Sequence, residues 1–314
     1  MLNDLIRRVS SRVIGRRQEI RLIVAALTAG RHILLEGPPG TSKSTILRAI
    51  AEASDPAWPY FFVTGNSELT GTKLLGHFDP ARVLADGYKP SYFEDGPLTA
   101  AMSRGGLLHI EEFNRLPEET TNVFVTAISE GKVAIPGLRV VQALPRFRIV
   151  AAMNPYDDVA ANRVSRALKD RFCSLKMDYQ PREEEIGIVI ANTDCQLSDL
   201  IELAVDVVFQ TRDHPDIRFG SSIRGAIDMV LIAKKLLNTT NSRPLDDDEL
   251  EESLFQVCLM ALRDKIWVQE TCDRSPEEII RGIWDSLRAR ECRRKPEQGD
   301  SFAPSASGKK KARV

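Results

Sequence analysis

Apolar residues in the first half of the chain follow two alternating rhythms. Ile20, Ile23, Val24 and Leu27 stand at helical spacing, and Gly30 follows as a stop signal. The next segment, "HILLE" at 32–36, is a short continuous apolar run, the mark of a strand buried on both faces. "YFFVT" at 60–64, "GLLHI" at 106–110 and "FRIVAAM" at 147–153 have the same character, and "FCSLKM" at 172–177 adds a more mixed fifth run. Pro117, Glu118 and Glu119 open a helix carrying Val123, Phe124, Ala127 and Ile128, and Gly131 closes it. Strands alternating with helices predict an α/β fold whose parallel sheet is packed between helices.

Two stretches break this rhythm. Residues 75–97, rich in Gly, Pro and aromatics, predict a loop or hairpin, and 132–144 predict two short strands joined at Pro136-Gly137. After Gln180-Pro181 only helical patterns are found. One carries Ile223, Ala226, Ile227, Val230 and Leu231, another Leu250, Leu254, Val257, Cys258 and Leu262. Ser275-Pro276-Glu277-Glu278 is a capping box that opens a third. From about Glu291 the chain turns polar and ends "GKKKARV", which predicts a disordered tail. The expected organisation is an α/β core over 1–180, a smaller all-α lid domain over 181–290, and a tail over 291–314.

Composition narrows the function classes. At 43% apolar and 28% charged residues the chain has the make-up of a soluble globular protein. A net charge of -1 supplies no general attraction to nucleic acid or anionic membrane, so neither is expected as a partner. No apolar run approaches the roughly 18 residues of a membrane span, and the first residues lack a signal-peptide pattern. The expectation is a cytoplasmic protein without membrane insertion. Five scattered cysteines, none in C-x-x-C spacing, predict free thiols rather than a zinc site or disulfide framework.

Candidate chemistry sits at the strand ends. "EGPPGTSKST" follows the first strand and precedes a helix carrying Ile46, Leu47 and Ile50, the context in which backbone N–H groups bind phosphate. The phosphate-loop pattern is met except at Ser42, where it asks for glycine. Ser42 is expected at negative φ, already entering the helix, so that a small L-residue fits without strain. Gly37, Pro38, Pro39, Gly40, Thr41, Ser42, Lys43, Ser44 and Thr45 are therefore the candidate phosphate-binding residues, with Lys43 reaching the terminal phosphates and Ser44 holding Mg²⁺. "LLHIEE" ends a second strand in two carboxylates. Glu111 suits Mg²⁺ ordering and Glu112 suits polarisation of an attacking water. "AAMNP" ends another strand in Asn154, whose amide can orient that water. His109 is expected to be a hydrogen-bonded core histidine rather than a ligand.

Together these segments resemble an AAA+ ATPase, specifically the MoxR family of its helix-2-insert branch, over residues from about 5 to 240. "SRVIGRRQEI" is similar to the segment whose Val13, Ile14 and Gly15 flank adenine, and "GPPGTSKS" is similar to the family's Walker A. "LLHIEEFNR" resembles Walker B with Glu111 in place of the usual Asp, and "MNP" resembles sensor 1. "ALKDRF" resembles the arginine-finger segment, giving Arg171, and "SSIRGAID" the start of the sensor 2 helix, giving Arg224. The two interrupting stretches resemble the helix-2 insert and the hairpin before sensor 1. The resemblance implies ATP and Mg²⁺ as ligands, a homo-oligomeric and commonly hexameric ring, and a chaperone-like remodeller of a protein client. It implies a von Willebrand factor A partner and work in metal-cofactor insertion or complex maturation. A magnesium-chelatase-type motor and a nucleotide-gated scaffold with little turnover are the alternatives.

Overall fold

The computed structural model describes residues 2–155, 164–239 and 247–294. These group into two compact units, one of 2–155 and 164–196 with 222–227, the other of 197–221 with 228–239 and 247–294. The division follows residue 196 rather than 180. Helix Arg182–Thr193 and the segment 222–227 thus belong to the first unit.

The first unit is built on a five-stranded parallel sheet. Its strands are β1 (Ile33–Glu36), β2 (Tyr60–Thr64), β3 (Leu107–Glu111), β4 (Arg148–Met153) and β5 (Cys173–Lys176), in the order β2-β3-β4-β1-β5. Alternate residues of the central strands serve opposite cores. Leu34, Leu108, Ile110, Ile149 and Ala151 join one apolar cluster with Phe113 and Phe124. Ile33, Leu35, Leu107, Val150 and Ala152 join the other with Ile20, Ile23, Ile46 and Ile50. Each fully buried Ile or Leu contributes about 1.5–3 kcal/mol, which is why continuous apolar runs rather than alternating ones mark these strands. Helices α1 (Arg17–Thr28) and α2 (Lys43–Ala53) bring their stripes to the second cluster.

Both interrupting stretches form antiparallel ladders. Gly76–Phe78 pairs with Phe93–Asp95 around a short helix, Pro80–Asp86, and Lys132–Ile135 pairs with Arg139–Gln142. An ion pair from Arg139 to Asp95 joins the two.

The second unit packs helices Ser198–Asp213, Asp247–Leu262 and Pro276–Arg294 with the continuation of helix Ile223–Thr239. Ser275 and Glu278 close the capping box reciprocally, at 3.2 and 2.7 Å. The buried Trp284 stacks edge-on against Phe255 and donates to Glu251 Oε1 at 2.7 Å. The expectation of helices alone is corrected, because Ile217–Phe219 pairs antiparallel with Trp267–Val268. Strands of three and two residues are too short to register as a periodic pattern. Cys195 and Cys258 are buried free thiols and Cys173 is an exposed one. Residues 295–314, most of the expected tail, lie outside the described residues, and helix Pro276–Arg294 runs past residue 291.

Candidate nucleotide site

The chain leaves β1 at Glu36 and enters α2 at Lys43, so the loop between them lies at the carboxyl edge of the sheet. Close backbone passage fixes its first residue. A Cβ on Gly37 would stand 2.0 Å from the Met177 carbonyl oxygen. Gly40 sits at φ +77°. Ser42 lies at φ 65°, ψ 16°, in the left-handed region, which corrects the expectation of a negative φ. The turn that aims successive N–H groups inward alternates backbone hands just before the helix, and the glycine of the pattern serves that need. Serine there costs about 1–2 kcal/mol of backbone energy. Its Oγ donates to Gln180 Oε1 at 3.3 Å.

Lys43 is 6% exposed and folds back over the loop. Its Nζ donates to the carbonyls of Gly37 (2.9 Å) and Pro38 (2.8 Å) and to Thr41 Oγ1 (3.1 Å). Burial lowers the amine's pKa to about 8, an effect the Glu111 carboxylate opposes. The loop thus concentrates N–H groups and one buried amine, an arrangement made for anions.

Across from it, Ser44 Oγ donates to Glu111 Oε2 at 2.7 Å. His109 Nε2 stands 3.2 Å from the same oxygen. The adjoining His109 ring, with the Ser44 hydrogen bond, holds the Glu111 carboxyl at a pKa of about 2, against the opposing effect of burial. A hydroxyl and an ionised carboxylate this close are hard oxygen donors suited to Mg²⁺, whose remaining positions water and phosphate oxygens would fill. Glu112 follows at φ 52°, again left-handed, and pairs with Arg115 at 3.2 Å. His109 is fully buried and meets Tyr60 Oη at 2.7 Å through Nδ1, the hydrogen-bonded core histidine expected of it.

A cavity of about 510 Å³ joins these groups, within the size range of small-molecule sites. Residues 39–45, Glu111, Glu112 and Arg224 line it. So do Phe62, Ile188, Asn192, Ile223 and Ile227, which sequence reasoning did not assign to the site. They lie on a sheet-edge strand and two helices distant in sequence, and their apolar spacing signals only a buried face. Gly37 and Pro38 stand behind the cavity as acceptors for Lys43. Five other candidates are not among its lining residues. Val13 is buried in the core with α1, Ile14 is partly exposed, and Gly15, at φ +67°, is wrapped by Gln180 and Glu184. Gln180 Nε2 donates to the Ile14 carbonyl at 2.9 Å. Asn154 follows β4 directly and its carbonyl accepts from Asn114 Nδ2 at 3.3 Å. Arg171 donates from Nε to Ser129 Oγ at 2.6 Å and also to the Ala167 carbonyl. Neither lines the cavity.

The sheet order and the strand–loop–helix site define a P-loop AAA+ fold. Residues 32–172 match the family model of the AAA domain, dynein-related subfamily. The chain is homologous to the gas vesicle ATPase GvpN of Haloferax mediterranei, with 27% identity over 281 residues, 83% of this chain and 77% of that protein. It is likewise homologous to YeaC of Bacillus subtilis, an uncharacterized protein, with 26% identity over 264 residues, 74% of this chain and 78% of that one. Among solved structures, the RuvB Holliday junction branch migration motor of Thermotoga maritima superposes with a TM-score of 0.52 at 17% identity, covering 78% of this chain and 70% of that one. At that identity the likeness is one of fold.

Proposed function

We propose that the chain is a MoxR-like ATPase that binds ATP with Mg²⁺ and hydrolyses it in an oligomeric ring. The observation that carries this is the convergence of Lys43, the Ser44–Glu111 pair and Glu112 on one cavity at the mouth of the loop. In this reading residues 37–45 take the triphosphate, and Ser44 and Glu111 hold Mg²⁺, which when bound offsets phosphate charge. Glu112 polarises the water, with Asn154 orienting it. Arg224, on the cavity wall, meets the phosphates. Arg171 lies off its own chain's cavity wall, which suits a finger completing a neighbour's site in a ring, commonly a hexamer.

The client of such a machine is a protein, in metal-cofactor insertion or complex maturation, with a von Willebrand factor A partner and a cytoplasmic setting. The MoxR resemblance supports this, and the homologues named gas vesicle ATPases are consistent with work on an assembly. A nucleotide-gated scaffold with little turnover is the second reading, favoured by Glu111 standing where Asp is usual. One experiment separates the two. Wild-type protein is expected to release phosphate from ATP, and Glu112→Gln to lower that rate about 10²–10⁴-fold while still binding nucleotide. Binding without phosphate release by the wild type selects the scaffold.

A further inference from the structure

We propose that His109 is a positioning residue that sets the reach of Glu111 toward the divalent cation, and that Tyr60 sets His109. The proposal rests on the nucleotide reading above.

His109 and Glu111 are two residues apart on β3, so their side chains share one face of the sheet. Tyr60 and Phe62 lie on the same face of the adjoining β2, with Phe62 in register with His109 and its ring 5.2 Å away. This polar ring is fully buried inside a sheet, where an unsatisfied nitrogen costs about 1–3 kcal/mol. Its two nitrogens meet different groups. Tyr60 Oη hydrogen-bonds Nδ1 at 2.7 Å, and the buried Nε2, without a hydrogen-bond partner of its own, stands 3.2 Å from Glu111 Oε2. The result is a row, Tyr60 to His109 to Glu111, that ends on the carboxylate of the candidate cation site.

That row answers a specific problem. A glutamate reaches one methylene further than an aspartate and has one more torsion to fix. Two groups from different elements bear on the same oxygen of Glu111: Ser44 Oγ donates to it, and the otherwise unpartnered His109 Nε2 stands 3.2 Å away. Removing either leaves the longer arm free to choose among rotamers, and donors behind a metal ligand commonly carry about 10–100-fold in metal affinity.

The test is ADP binding by calorimetry, with and without Mg²⁺, on the full chain. Metal-free ADP affinity is expected to stay within about twofold of wild type in each variant, since the loop is untouched. The gain in affinity on adding Mg²⁺ is expected to fall about tenfold in His109→Leu, to return to within about threefold in His109→Gln, whose amide nitrogen replaces Nε2, and to fall about threefold in Tyr60→Phe. An unchanged Mg²⁺ gain in His109→Leu overturns the proposal. So does an equal loss in His109→Leu and His109→Gln accompanied by weaker metal-free binding, since that marks a packing defect. Where His109→Leu fails to fold, Tyr60→Phe decides by the same readout, and an unchanged gain there is the contrary result. If wild type binds no ADP under either condition, the nucleotide reading itself falls and this proposal with it.

Discussion

The phosphate loop and the acidic strand end each depart once from the residues such sites ordinarily use, and they accommodate the departure by different means. In the loop, Ser42 takes a left-handed backbone at φ 65° that glycine would take freely. The cost is local and conformational, and its hydroxyl recovers little through a 3.3 Å contact with Gln180. At the strand end, Glu111 adds a methylene, and its carboxylate is caught by Ser44 and the buried His109. A backbone demand tolerates a foreign side chain at a small cost in stability, because the N–H groups still point inward. A side-chain demand is met only if other side chains are arranged around it. Effects at the loop position should therefore appear in folding, and effects at the strand end in ligand chemistry.

The largest effect expected from this contrast is at Glu111. Glu111→Asp shortens the arm so that it no longer meets both Ser44 and His109, and the Mg²⁺ gain in ADP affinity should fall about 10–100-fold. In a double-mutant cycle with His109→Leu the two losses should fail to add, because each removes the same contact. Additive losses would break the comparison.

A smaller effect concerns pH. Burial holds the Lys43 amine at about 8, so it is charged below that pH and loses its proton as pH rises through it. An anion at the loop favours the charged form and raises that pKa. ADP affinity is therefore expected to be level below pH 7 and to weaken about tenfold by pH 9, with protons taken up on binding near pH 8 to 9. Calorimetry in buffers of different ionisation enthalpy reads that uptake. Affinity independent of pH across this range would deny the buried amine its role.

The smallest effect is expected at Ser42. Ser42→Gly relieves the left-handed strain and should raise stability by about 1 kcal/mol, or about 2–4 °C in Tm, while ADP affinity moves less than about threefold. A drop in Tm would show that the contact with Gln180 outweighs the strain.

The three central strands were legible because they are buried on both faces, which turns each into an unbroken apolar run such as residues 33–35 or 149–152. The loop, Lys43, Ser44 and the two carboxylates were legible because their chemistry depends on fixed local spacing. Ser42's backbone was misjudged although a signal was present, since a pattern that asks for glycine marks a position where left-handed φ is needed. The apolar wall was not legible. Phe62, Ile188 and Ile227 reach the cavity only through tertiary packing, and nothing in helical spacing tells a core face from a ligand face. Nor was the short ladder of Ile217–Phe219 with Trp267–Val268, whose partners lie some fifty residues apart.

Everything proposed for this site depends on the loop gripping the terminal phosphates of a nucleotide. Titration of purified protein with Mg·ADP by calorimetry, beside a Lys43→Ala variant, tests that most directly. Saturable uptake of one nucleotide per chain, lost in the variant, is the expected result. No uptake at millimolar ligand, or uptake that survives Lys43→Ala unchanged, would contradict it.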